Sequence, residues 1–103
     1  MNEAMERKLD AALERLAADY RQSIDEWKSD RRNAFKDGRM LGYYELKEAC
    51  LSSLNAGGGW KELCEEVRRR FEMAKTEWRG DRANRFKDGR MLACFEILQL
   101  FPA

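Results

Sequence analysis

Apolar residues along this chain recur at helical spacing. From Met5 through Leu9, Leu13, Leu16, Tyr20 and Ile24 to Trp27 the steps are 4, 4, 3, 4, 4 and 3. From Trp60 through Cys64, Val67, Phe71 and Ala74 to Trp78 they are 4, 3, 4, 3 and 4. Such intervals keep one apolar stripe on a 3.6-residue helix. Asn2 is placed to cap the first helix. Asp30 and Asp81 follow the two stripes at matching offsets. Each predicts an N-cap for a second helix, over 31–54 and 82–100.

The two stripes belong to an internal repeat. A shift of 51 aligns Glu26-Trp27 with Glu77-Trp78, and Phe35-Lys36-Asp37-Gly38-Arg39-Met40-Leu41 with Phe86-Lys87-Asp88-Gly89-Arg90-Met91-Leu92. Across 26–46 against 77–97, 13 of 21 positions are identical, too many for chance. The single domain 1–103 thus divides into repeat one (1–54), a glycine-rich linker (55–59) and repeat two (60–103). Two tandem αα-hairpins with short connections predict an all-α four-helix bundle with pseudo-twofold symmetry. Hairpins exchanged between two chains are the competing architecture.

Asp37-Gly38 and Asp88-Gly89 complicate the second helices, because Asp-Gly is a β-turn signal. The flanking residues do not alternate, and Tyr43, Leu46, Cys50 and Leu54 step helically, which favours a glycine within a helix. An interior glycine costs about 1 kcal/mol relative to alanine, so a compensating contact is expected. Gly38 and Gly42 share a helical face, as do Gly89 and Ala93. Trp27 and Trp78 are the expected covers of these notches.

Composition rules out several classes. Charged residues are 38% of the chain, but apolar residues are 44% and aromatic ones 11%, and disordered chains lack that apolar content. No apolar run reaches the roughly 20 residues of a membrane span. Met1-Asn2-Glu3-Ala4 opens an acidic amphipathic segment unlike a signal peptide. Cys50, Cys64 and Cys94 form no C-x-x-C pair and read as reduced core thiols, which places the protein in the cytoplasm.

Catalytic constellations are missing. The absence of histidine removes Ser-His and Cys-His pairs, imidazole bases and most zinc sites. Ser23, Ser29, Ser52 and Ser53 lie in no nucleophile motif. Gly57-Gly58-Gly59 is followed by Trp60-Lys61 and fits no phosphate-binding loop. Glu45 and Glu96 are the carboxylates to watch. They either face each other or pair with Arg31, Arg39 or their counterparts, and burial rules favour the pairing. The expectation is a non-enzyme with no cofactor and no metal.

Charge is unevenly distributed around the net +1. Lys28, Arg31, Arg32, Lys36 and Arg39 against Asp30 and Asp37 give the first elbow a net +3. Arg79, Arg82, Arg85, Lys87 and Arg90 against Asp81 and Asp88 give the second the same, leaving −5 elsewhere. An up-down-up-down bundle puts both elbows at one pole, where these ten cations form the expected partner-binding surface.

The leading expectation is a small binding protein that occupies a protein or ribonucleoprotein surface. A phage or mobile-element inhibitor of the anti-CRISPR type is one concrete form. Nucleic-acid binding through the elbows and a structural homo-oligomer are the alternatives. From Met91 to Phe101 nine of eleven residues are apolar, more than one bundle stripe needs. That surplus predicts a homodimer through Phe95, Leu98 and Phe101.

Overall fold

The computed structural model describes residues 3–102 and is all-α, with four helices and, among the described residues, no strand. The helices are α1 (Glu3–Ser29), α2 (Ala34–Asn55), α3 (Trp60–Gly80) and α4 (Arg85–Leu98). They pack as a four-helix bundle. Asn2, the expected cap of α1, lies outside the described residues.

The elbows correct the expected helix starts. Helices α2 and α4 begin at Ala34 and Arg85, and their N-caps are Asn33 and Asn84, not Asp30 and Asp81. Asn33 has extended backbone (φ −82°, ψ 106°), and its side chain accepts from the Lys36 N–H at 3.0 Å. Asn84 accepts from the Lys87 N–H at 3.1 Å. The aspartates are occupied at the end of the preceding helix. The Asp30 N–H donates to the Trp27 carbonyl, and the Asp81 N–H to that of Trp78, both at 3.1 Å. Helix α4 also stops at Leu98, short of the expected residue 100.

Asp37-Gly38 and Asp88-Gly89 sit inside α2 and α4, so neither pair forms a β-turn. The glycines are needed because the two helices touch through their backbones. A Cβ on Gly38 would lie 2.0 Å from the Phe86 carbonyl oxygen, and one on Gly89 would lie 2.0 Å from that of Phe35. One turn on, a Cβ on Gly42 would meet the Ala93 Cβ at 2.8 Å. The notches are therefore filled by the opposing helix, not by Trp27 and Trp78 as expected. Trp27 and Trp78 lie at the elbows, where the Trp78 indole N–H reaches Asp88 beside the notch and not the notch itself. The pairing of Phe35 with Gly89, Gly38 with Phe86 and Gly42 with Ala93 makes α2 and α4 run in the same sense. Both elbows thus lie at one end of the bundle.

The core forms around this crossing. Leu9 and Leu16 of α1, Tyr43, Leu46 and Cys50 of α2, Leu63 and Val67 of α3, and Ala93 and Ile97 of α4 are all buried. Helix α4 lies against both α2 and α3, so the chain covers most of its apolar surface. After Leu98 the chain tightens into turns, with the Leu100 N–H donating to the Ile97 carbonyl at 2.9 Å. This returns Phe101 to the core, 1% exposed and stacked on Trp60 with ring centroids 5.4 Å apart. Leu98 is half-buried against the same core, and only Phe95 of the three expected dimer residues is exposed. The apolar surplus that predicted an interchain face on α4 is satisfied largely within the chain.

Candidate functional site

The elbow pole is assembled twice by the same local chemistry. In repeat one the Asn33 N–H donates to the Asp30 carbonyl at 3.1 Å, and the Asn33 side-chain amide donates to the Asp30 carboxylate at 3.3 Å. Repeat two forms the same turn between Asn84 and Asp81, with the same two distances. Each turn orients an arginine over an indole four residues earlier. Arg31 lies 5.0 Å from the Trp27 ring centroid, and Arg82 lies 4.9 Å from that of Trp78. Cation–π contact of this kind contributes about 0.5–1 kcal/mol at exposed sites. The Trp78 indole N–H also donates to the Asp88 carboxylate.

The ten cations expected to form one surface divide into two groups. Five are engaged within the fold. Lys36 pairs with Asp30 at 3.6 Å, Lys87 with Asp81 at 3.4 Å, and Arg85 with Asp88 at 3.3 Å, while Arg85 also lies over Phe35 of the other repeat. Arg39 and Arg90 are more deeply committed. Arg39 grips Glu96 with two bonds, of 2.9 and 3.1 Å, and reaches Glu26 at 2.6 Å. Arg90 grips Glu45 with two bonds of 2.8 Å and reaches Glu77 at 2.6 Å. These are bidentate guanidinium–carboxylate pairs linking one repeat to the other. Hydrogen bonding to Glu96 and Glu45 raises the pKa of both arginines above its ordinary value. The remaining five, Lys28, Arg31, Arg32, Arg79 and Arg82, are exposed and make no salt bridge among the described residues. They are the part of the expected surface free to meet a partner.

Glu45 and Glu96 do not face each other. Each is neutralised by the arginine of the opposite repeat, which matches the paired alternative in kind, with Arg90 and Arg39 as partners. The Trp–Arg seats were not anticipated as part of the site. Their signal was present as Trp-x-x-x-Arg at 27–31 and again at 78–82.

Other features offer little chemistry. Cys50, Cys64 and Cys94 are free and buried. Burial pushes the Cys50 thiol up to about 12 and the Cys94 thiol to about 11, away from the thiolate that a nucleophile or metal ligand requires. Among the described residues no group of three or more Cys, Asp or Glu is placed to hold a metal ion. An open groove between α2 and α3 carries Ser52, Ser53, Glu48 and Glu66. Glu66 there is bound by Arg69 and Arg70, which lower its pKa. Among the described residues no helix is long and apolar enough to cross a membrane. No family model, curated protein or solved structure matches the chain.

Proposed function

We propose that this chain is a non-enzymatic binding protein that docks, elbow pole first, on an anionic face of a protein or ribonucleoprotein and acts by occupying it. The observation that carries this reading is the division among the elbow cations. A stabilising role explains Lys36, Arg39, Arg85, Lys87 and Arg90, each of which has a carboxylate within reach. Ion pairing does not explain Lys28, Arg31, Arg32, Arg79 and Arg82, which are exposed at the elbows and make no salt bridge among the described residues. Two of these five lie over tryptophan rings, which reduces the rotamer entropy lost on binding. The −5 balance of the remaining chain would be repelled by the same partner and so orient the encounter. An inhibitor of the anti-CRISPR type is one form such a protein takes, and the buried free thiols suit a reducing cytoplasm.

The test reverses the free cations and spares the structural ones. Replacement of Arg31, Arg32, Arg79 and Arg82 by glutamate should abolish retention on an immobilised poly-glutamate matrix and leave far-ultraviolet circular dichroism unchanged. Exposed charges contribute roughly 0–1 kcal/mol to stability. Equal retention of parent and variant would remove the pole as the interface. Tight binding of the parent to bare duplex DNA, falling steeply with salt, would instead select the nucleic-acid reading. That reading draws on the same five cations.

A further inference from the structure

The surface that joins the two repeats is built from residues that both repeats possess. The backbone of Phe35 fills the Gly89 notch, and that of Phe86 fills the Gly38 notch. Arg39 holds Glu96 while Arg90 holds Glu45. In each pairing one repeat supplies what the other also carries at the equivalent position, 51 residues away. The Gly42–Ala93 contact joins unlike but equally small residues, and Arg85 over Phe35 has no counterpart because Ala34 stands where repeat two has Arg85. Each repeat therefore presents a face that is complementary to its own sequence, the property that defines an isologous interface.

The connection between repeats is a single tight turn. The Ala56 N–H donates to the Ser52 carbonyl at 3.1 Å, Gly57 to Leu54 at 3.0 Å, and Gly58 to Ser53 at 2.8 Å. Gly57 takes φ +91°, in the left-handed region that side chains disfavour. A Cβ at Gly57 would meet nothing within 4 Å. This residue thus sets the path of the chain and contributes no packing.

We infer that the α2–α4 face is a self-recognition surface and that its second partner is another copy of this chain, taken up by exchange of hairpins about Gly57. In the exchanged dimer α2 of each chain crosses α4 of the other, and the contacts between repeats are remade while the linker turn opens. The closed form is favoured at low concentration because the short linker gives an effective concentration in the millimolar range. Exchange creates two elbow poles, each composed of two chains. If the pole binds as proposed above, the dimer is bivalent; the exchange itself does not depend on that reading.

Two measurements on the full chain test this. Gly57→Val penalises the closed turn alone, and the penalty is released at both hinges of the dimer. Its dimerisation constant in sedimentation equilibrium should exceed the parent's by on the order of a hundredfold, from the cost of a left-handed side-chain residue. The second uses two charge-altered chains, one with Arg39→Glu and Arg90→Glu, the other with Glu45→Arg and Glu96→Arg. Each places like charges across its own α2–α4 face and should fold poorly alone. Refolded together, they should give a 1:1 dimer of restored helicity, because acidic positions on one chain now meet basic positions on the other. A Gly57→Val protein that stays monomeric at every concentration, with a charge-altered mixture that behaves as its separate parts, overturns the inference. Loss of poly-glutamate binding without loss of exchange would fail the pole reading alone.

Discussion

Gly38 and Gly80 show how one residue type takes opposite roles in the same chain. A Cβ on Gly38 would collide with a carbonyl oxygen of the opposing backbone, which cannot rotate away as a side chain can. At Gly80, the last residue of α3, a Cβ would meet nothing within 4 Å. Alanine at either position adds about 1 kcal/mol of helix propensity at most. At Gly38 that gain is outweighed by separating two packed helices, so Gly38→Ala should lower stability by about 1–3 kcal/mol net. Gly80→Ala should instead raise it by about 0.4–1 kcal/mol through the unfolded chain. Urea titration of the two variants beside the parent measures both. A Gly38→Ala protein as stable as the parent would mean that the crossing can widen without cost.

At the scale of elements, the elbows and the crossing decide the architecture. Each elbow is three residues of turn closed by an asparagine cap, and the aspartate before it completes the previous helix. Asn33→Ala and Asn84→Ala should therefore cost about 1 kcal/mol each. Asp30→Ala, which removes an exposed ion pair at 3.6 Å and a 3.3 Å bond from the Asn33 amide, should cost less than either cap. Thermal melts of the three variants give the order. The α2–α4 crossing is held by the two arginine clasps as well as by the glycines. Arg39→Glu should cost about 1–2 kcal/mol, because it breaks charge-assisted bonds to Glu96 and Glu26 in a partly screened site. Arg31→Glu should cost at most about 0.5–1 kcal/mol, the contact with Trp27, although both arginines belong to the same basic segment of sequence.

Over the whole molecule, stability should fall on the alkaline side. Burial raises the Cys50 thiol from 9.0 to about 12, the Cys94 thiol from 9.0 to about 11, and the Tyr43 phenol from 10.0 to about 12. Each group has a higher value in the folded chain. Above pH 9 the unfolded chain releases protons that the folded chain retains, so the equilibrium shifts toward unfolding. The contribution is complete below about pH 9 and is lost progressively up to about pH 12. The urea midpoint should be level from pH 7 to 8 and decline from pH 9 upward. A Cys50→Ala, Cys94→Ala variant should decline less. An identical slope in parent and variant would assign the loss to other groups.

The number of helices, their order, the repeat and the concentration of positive charge at the elbows were legible along the chain. These properties are local or periodic: apolar stripes at 3.6-residue spacing, a glycine-rich break, and charge counts within short segments. Which asparagine or aspartate caps a helix, what fills a glycine notch, and which arginines are free depended on where the two repeats meet. Arg31 and Arg39 lie in one basic run and are indistinguishable by composition. Only the crossing of α2 over α4 brings Glu96 to Arg39 and leaves Arg31 on its tryptophan. Phe101 carries the same lesson. Its apolar surroundings suggested a surface for a second chain, and the turn after Leu98 takes it into the core of its own. Burial is a property of pairs of segments distant in sequence, so one-dimensional periodicity can say that a face is apolar but not what covers it.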